Sequence, residues 1–151
     1  MTSSSVETAS PYIDITQRLR RFGISPTRQR LQIAMALFDH GGHLSAQDLY
    51  TLVNRGKRSV CRATVYNTLH LFVSRGLIRE ISLDSSRTFY DTNTQPHHHI
   101  YNVDTGELID VAPETVEFKR LPDIPPDTQQ EDITLIIRVR NKRQTLRAYA
   151  R

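Results

Sequence analysis

The stretch RATVYNTLHLFVSRGLIREISLDSSRTFYD, residues 62–91, decides the fold of the first part of the chain. An apolar stripe at helical spacing predicts a helix over residues 62–75, and Gly76 ends it. Two extended segments follow, residues 77–82 and 88–91, and the polar turn DSS between them predicts a hairpin. The residues of the helical stripe are Val65, Leu69, Phe72 and Val73.

Three further helices are predicted before this stretch, and the first covers residues 14–22. Thr27 can cap the second, whose apolar face lies within residues 31–38. Ser45 and Asp48 form a capping-box pattern at the start of the third. The last three helices and the hairpin, in this order, make a winged helix-turn-helix, in which the last helix enters the major groove of DNA. From the pattern alone, an ordinary helical bundle with a solvated charged face is the alternative.

Charge is divided unevenly along the chain. Residues 1–95 carry 12 Lys and Arg against 7 Asp and Glu, whereas residues 96–151 carry 8 against 9. A basic first part predicts a module that binds an anionic partner, here double-stranded DNA. Hydroxyl, amide and aromatic groups suit base edges, and cationic groups suit phosphates. The residues predicted to contact DNA are Arg18, Arg20, Arg21, Lys57, Arg58, Arg62, Thr64, Tyr66 and Asn67.

The second part is predicted to contain a small sheet. Residues 97–103 and 108–111 read as two strands around the turn DTG. The segment ITLIIRV, residues 133–139, is almost continuously apolar and β-branched, which is typical of a central strand. A three-stranded sheet this small cannot cover both of its faces, so we expect a second copy of the chain to complete it. A homodimer also places two reading helices on a palindromic operator.

The predicted fold class is therefore α+β, an N-terminal winged helix-turn-helix followed by a small α/β dimerisation domain. The predicted segments are a disordered arm (1–12), a DNA-binding domain (13–92), a dimerisation and metal-sensing domain (93–143) and a basic tail (144–151). The chain has no apolar run of about 18 residues and no secretory signal pattern. We therefore expect a cytoplasmic protein that makes no membrane contact.

Three consecutive histidines at residues 97–99 predict a metal site. Alternate residues of a strand face the same way, so His97 and His99 share one face and His98 lies on the other. Carboxylates stand at the end of the wing and on the neighbouring strand, and another imidazole lies in the loop before the third helix. This donor set suits a divalent ion such as Fe(II), Mn(II) or Zn(II). The predicted ligands are His43, Asp91, His97, His99 and Asp110.

A metalloenzyme is the alternative from another functional class. Two histidines and a carboxylate can form the facial triad of an Fe(II) oxygenase or a hydrolytic zinc site. Five protein ligands, however, leave little room for a substrate beside the ion, and the basic winged helix favours a regulator. We therefore predict that the protein is not an enzyme.

The chain resembles the ferric uptake regulator family along nearly its whole length. The resemblance is carried by PTRQRLQIAMAL, HLSAQDLY, RATVYNTLHLF, GLIREI and the histidine-rich stretch. It implies a metal-responsive repressor that acts as a dimer or a dimer of dimers. In the peroxide-responsive branch, the regulatory ion is held by five positions that match the five ligands predicted above. The likeness is closest to the iron response regulator branch, through RTFYDTN, the triple histidine, GELIDV, LPDIPPD and ITLIIRVRNKR.

The sequence also departs from the family. Most members carry CxxC pairs for a structural zinc, but the corresponding turn here reads NVDTGE, so no four-cysteine zinc site is predicted. Cys61 is the single cysteine, and we expect it to be a small buried residue rather than a ligand or redox sensor. The resemblance implies His98 and Glu117 as candidates for a second metal site. That site is incomplete, because no histidine follows His99 in the chain.

The iron response regulator branch is associated with haem sensing, and this implies haem as a second candidate ligand at the histidine triplet. Imidazole is a good axial ligand for haem iron. The Cys-Pro dipeptide, the usual haem regulatory motif, is absent from the chain. A divalent co-repressor would tighten DNA binding, whereas haem would release it. The sequence leaves this choice open.

Overall fold

The computed structural model describes residues 11–57 and 59–142, with side chains described from residue 14 onward. The chain forms two compact units whose boundary falls between Thr94 and Gln95. Residues 1–10 of the predicted arm, the predicted basic tail and Arg58 lie outside the described residues. The first helix begins at Pro11, two residues before the predicted start of the DNA-binding domain.

In its described residues the first unit forms four α-helices: α1 (Pro11–Arg21), α2 (Arg28–His40), α3 (Ala46–Val53) and α4 (Arg62–Ser74). Thr27 caps α2, since its hydroxyl accepts the backbone N–H of Arg30 at 3.3 Å. At the start of α3, Ser45 and Asp48 accept each other's backbone N–H at 3.1 and 3.3 Å. Both capping predictions are confirmed. No helix in the described ranges combines the length and the apolarity needed to cross a membrane.

The helices are held together by one apolar core. Leu19, Leu37, Leu49 and Phe72 come from α1, α2, α3 and α4 in turn, and none of the four exposes any of its surface. Each such side chain contributes about 1.5–3 kcal/mol through burial alone. The predicted stripe of α4 faces this core, with Val65, Leu69 and Phe72 buried and Val73 packed at its margin. The opposite face of α4 is consequently left to solvent.

A short strand, β1 (His43–Leu44), precedes α3. The hairpin wing consists of β2 (Arg79–Asp84) and β3 (Arg87–Asp91), and the three strands form an antiparallel sheet of order β1-β3-β2. The first strand begins at Arg79 rather than at residue 77, because Leu77 and Ile78 are buried in the helical core. The predicted turn is confirmed. Asp84 accepts hydrogen bonds from the hydroxyl and the backbone N–H of Ser86 at 2.7 and 2.8 Å, and these bonds lower the pKa of its carboxyl.

In the described residues 95–142, the second unit forms a three-stranded sheet of order β5-β4-β6, built from β4 (His98–Asn102), β5 (Leu108–Val111) and β6 (Ile136–Val139). β5 runs antiparallel and β6 parallel to β4. A short 3₁₀ helix, Pro113–Thr115, follows β5. The prediction of a central strand over residues 133–139 is wrong, because β4 is central and β6 is an edge strand that starts at Ile136. An apolar run predicts that a strand will be buried. It does not predict the position of that strand in the sheet.

The expectation that Cys61 is buried is also wrong. Cys61 is exposed at the N-cap position of α4, where its sulfur lies 3.1 Å from the hydroxyl of Thr64. This hydrogen bond lowers the pKa of the thiol. The buried position just before α4 is taken by Val60, which has 1% of its surface exposed.

Tyr90 gives the first unit an alkaline limit of stability. Burial raises the pKa of Tyr90 above its usual value of 10.0, and the charge of its cross-strand partner Glu80 adds to the increase. The stabilising contribution is complete below pH 10.0 and is lost as the pH rises through the folded pKa, because the unfolded chain releases this proton first. Between about pH 9 and about pH 11, the free energy of unfolding in urea should fall less for Tyr90→Phe than for the wild type. Equal losses would contradict this assignment.

Candidate metal centre and nucleic-acid interface

The first unit holds a histidine and a carboxylate face to face. His43 belongs to a two-residue strand, β1 (His43–Leu44), which pairs with β3 so that His43 lies opposite Asp91. The prediction that His43 lies in the loop before the third helix is therefore wrong, and its side chain is only 7% exposed. Its Nε2 is 3.3 Å from Oδ2 of Asp91. The other oxygen, Oδ1, accepts the backbone N–H of Asn93 at 2.7 Å, which fixes the orientation of the carboxylate.

The second unit gathers three donors on one face of its sheet. His99 on β4 is the cross-strand partner of Asp110 on β5, and His97 lies just before β4. Oδ1 of Asp110 is 3.2 Å from Nε2 of His97 and 3.6 Å from Nε2 of His99. The two imidazole rings meet edge to face with centroids 4.5 Å apart. Both rings are buried, whereas the carboxylate of Asp110 is 46% exposed.

The orientation of His97 is suited to binding a cation. Its Nδ1 lies 2.7 Å from the carbonyl oxygen of Gln95. A carbonyl oxygen only accepts, so Nδ1 carries the hydrogen and Nε2 carries the lone pair of the neutral ring. In this tautomer the lone pair of Nε2 and the carboxylate oxygen of Asp110, 3.2 Å apart, can both bind one cation. Metal-binding histidines commonly donate their second N–H to a carbonyl in this way.

The spacing of the donors also fits a divalent ion. Bonds of about 2.0–2.2 Å hold neighbouring ligand atoms about 3–3.5 Å apart. In the first unit, the nitrogen–oxygen distance between His43 and Asp91 is 3.3 Å. In the second unit, the distances from Asp110 to His97 and His99 are 3.2 and 3.6 Å. In the second unit, ligand atoms of all three residues lie within 4.8 Å of one another. A mixture of imidazole and carboxylate suits Fe(II), Mn(II) or Zn(II).

His98 has different surroundings from the two histidines beside it. Its Nδ1 accepts the backbone N–H of Leu135 at 3.1 Å, and the ring of Phe118 meets it edge-on with centroids 5.9 Å apart. His98 is buried, whereas Glu117 is exposed. Within the described part of the chain, no group of three or more metal-binding side chains includes His98 or Glu117. The contacts of His98 thus hold the chain segment that leads into β6.

The outer face of α4 carries polar and aromatic groups. Tyr66 is 40% exposed, Asn67 is exposed and Thr64 is half-buried. Thr64 and Asn67 line a groove of about 350 Å³ together with Gln29 and Arg30 from the first turn of α2. The sequence did not single out Gln29 or Arg30. Capping by Thr27 places both at a helix start, but only the tertiary fold sets that start beside α4.

The basic side chains predicted to contact DNA fall into two groups. The guanidinium of Arg18 lies 4.1 Å from the ring centre of Phe38, and that of Arg62 lies 4.8 Å from the ring centre of Tyr50. Arg62 also donates a hydrogen bond to the side chain of Gln47. These two arginines are held against neighbouring helices. Arg20, Arg21 and Lys57 form the second group, and all three side chains are exposed.

Comparison with known proteins gives consistent results. The model of the ferric uptake regulator family matches residues 21–137. The peroxide-responsive repressor PerR of Staphylococcus aureus is 32% identical over 104 residues, which is 68% of this chain and 70% of that protein. The structure of the ferric uptake regulator from Pseudomonas aeruginosa with manganese matches with a TM-score of 0.63 and 28% identity, covering 85% of this chain and 98% of the other. For the ferric uptake regulator from Francisella tularensis with iron, the values are 0.65 and 26%, with 80% and 94% covered.

Proposed function

Because the chain belongs to the ferric uptake regulator family, we propose that it is a metal-responsive transcription regulator, a repressor that binds operator DNA as a homodimer in the cytoplasm. Proteins of this family are transcription regulators and not enzymes, which decides against the metalloenzyme alternative. The observation that carries the proposal is the donor set of the second unit. His97 and His99 both turn Nε2 toward one oxygen of Asp110. The same chain also has a basic winged helix.

The proposed regulatory ion is Mn(II) or Fe(II), with Zn(II) as a further candidate. Two solved relatives were determined with manganese and with iron, and the imidazole and carboxylate donors suit both ions. We take His43 and Asp91 as ligands of the same ion as the three donors of the second unit. An ion bound in this way supplies a positive charge that draws ligands of both units together. Its occupancy would favour one orientation of the reading helix, and so tighten DNA binding.

The sequence likeness to the iron response regulator branch makes haem a candidate signal, but the surroundings of His98 support it less well than the divalent ion. His98 is the histidine of the triplet on the other face of β4, and its Nδ1 already accepts a backbone N–H. The ring of Phe118 covers part of it. A haem iron at His98 would have to displace these contacts or use the remaining ring nitrogen, so we favour the divalent ion.

For DNA binding, we propose that Thr64, Tyr66 and Asn67 read base edges, and that the basic side chains contact phosphates. Tyr66→Ala should reduce the discrimination between an AT-rich palindrome and random DNA by roughly 1–3 kcal/mol. Lys57→Ala should weaken binding to both DNAs alike and reduce the slope of log affinity against log salt by about one. Fluorescence anisotropy on both duplexes measures these effects. Equal losses on the two DNAs for Tyr66→Ala would remove that residue from base reading.

The proposed function is tested by DNA binding of untagged protein in Mn(II) and after chelation. A regulator should shift a short AT-rich palindromic duplex in Mn(II), with an affinity that falls steeply as salt increases, because phosphate contacts release counterions. Chelation should weaken the complex. A protein that binds no DNA under either condition, while holding a stoichiometric metal, would contradict the proposal and favour the metalloenzyme alternative.

A further inference from the structure

Asn54, the residue that follows α3, makes four hydrogen bonds to described backbone groups. Its Nδ2 donates to the carbonyl oxygens of Tyr50 and Val60 at 2.9 and 3.0 Å. Its Oδ1 accepts the backbone N–H groups of Ser59 and Val60 at 2.8 and 3.0 Å. A side-chain amide has two N–H donors and an oxygen with two lone pairs, so these bonds use its full capacity. Serine, alanine and aspartate cannot make the same set.

These bonds tie Ser59 and Val60, which lie just before α4, to the end of α3. At one end Asn54 holds the loop to the last turn of α3, and at the other end Val60 is buried in the core with 1% of its surface exposed. Gly56 gives the loop a left-handed turn with φ of 85°. Lys57 follows this turn and is exposed. The side chain of Asn54 therefore fixes the backbone before α4, while the side chain of Lys57 remains exposed.

An ordinary helix cap does not explain this arrangement. Ending α3 requires a partner for its last carbonyl groups, and the bond to Tyr50 supplies one. The other three bonds of Asn54 go forward to Ser59 and Val60, beyond the basic part of the loop. A loop ordered before binding loses less conformational entropy when it meets DNA, so its phosphate contact is stronger.

We infer that Asn54 is a positioning residue for DNA binding. By holding Ser59 and Val60 against the end of α3, it sets the backbone at Lys57 so that this side chain meets the DNA backbone beside the start of α4. This inference rests on the proposed function, since it concerns the same DNA surface. Asn54 itself touches no DNA in this account. It acts through the backbone conformation of the loop.

A double-mutant cycle tests the inference on a short random-sequence duplex in Mn(II). Asn54→Ala should weaken binding about fivefold to tenfold, as expected for losing one well-placed charged contact. Lys57→Ala should weaken wild-type binding by a similar factor. On the Asn54→Ala background, Lys57→Ala should have little further effect, because the contact is already lost. An unchanged affinity of Asn54→Ala, or a full Lys57→Ala effect in both backgrounds, would overturn the inference.

Hydrogen exchange provides a readout that does not depend on DNA. The amides of Ser59 and Val60 should be protected in the wild type and should exchange faster in Asn54→Ala. Thr51→Ala is the matched control, since Thr51 is exposed on α3 and its hydroxyl bonds within that helix, to the carbonyl of Gln47. It should change neither exchange nor affinity. If Asn54→Ala does not fold, Asn54→Ser in the same cycle carries the test with the same outcomes.

Failure of this inference can be told apart from failure of the proposed function. If the wild type binds no DNA in Mn(II), the proposed function fails. If the wild type binds and the cycle is additive, only the role of Asn54 fails. Unprotected amides of Ser59 and Val60 in the wild type would overturn the role of Asn54 in either case.

Discussion

Ile137→Asp is expected to convert the proposed dimer into monomers and to remove high-affinity binding to palindromic DNA. Ile137 lies on the edge strand β6 with 42% of its surface exposed. It is the cross-strand partner of Ile100, which also pairs with Ile109, so an apolar row crosses one face of the sheet. We propose that this row lies in the dimer interface. A second copy of the chain is the partner that a palindromic operator requires.

A buried unpaired carboxylate in this interface should cost about 3–5 kcal/mol. Light scattering at micromolar concentration measures the oligomeric state. Thr134→Asp is the matched control, because it adds the same charge at an exposed position just before β6 and should remain a dimer. Circular dichroism separates dissociation from unfolding. An Ile137→Asp protein that is still dimeric would show that β6 is not in the interface.

His43→Ala should make operator affinity independent of metal. The first unit supplies two of the five proposed ligands, His43 on β1 and Asp91 at the end of the wing. Removing the imidazole of His43 leaves the first unit only the carboxylate of Asp91, so the ion should lose most of the difference in affinity that it makes between two orientations of that unit. Metal binding should also weaken, because the ion loses one of its direct protein ligands. Because the His43 side chain is buried, a modest loss of stability is also expected.

His98→Ala is the matched control for His43→Ala. It removes a buried imidazole of the same triplet, and the N–H of Leu135 loses its acceptor. Leaving that group without a partner should cost about 1–3 kcal/mol of stability. The metal dependence of operator affinity should nevertheless remain. If haem is the signal, His98→Ala alters the response to haem and His43→Ala matters less. Operator affinity measured for both variants with Mn(II) and with haem separates these cases, and a normal Mn(II) response in His43→Ala contradicts the shared site.

Local signals explain what could be predicted from the sequence. Thr27, Ser45 and Asp48 were predicted as caps because the donor and the acceptor lie within three residues of each other. The stripe of α4 was predicted because a repeat of side chains every three to four residues has few other causes. The alternation of the histidine run placed His97 with His99, and the structure adds that both turn toward Asp110.

Long-range pairing explains what could not be predicted. A strand of two residues, such as β1, is too short to show a period, so His43 was assigned to a loop. The edge position of β6 depends on its pairing with β4, which no local pattern reports. The role of Asn54 was also hidden. Its side chain reaches across a loop to Ser59 and Val60, and an asparagine after a helix has many ordinary uses.

Calorimetric titration of Mn(II) into the wild-type dimer, alone and bound to its palindromic duplex, tests the central claim most directly. If Mn(II) binding is coupled to DNA binding, then the factor by which Mn(II) tightens DNA binding must equal the factor by which DNA tightens Mn(II) binding. We predict a higher Mn(II) affinity in the presence of DNA, with a factor of about 5–150. The same Mn(II) affinity with and without DNA would contradict the account.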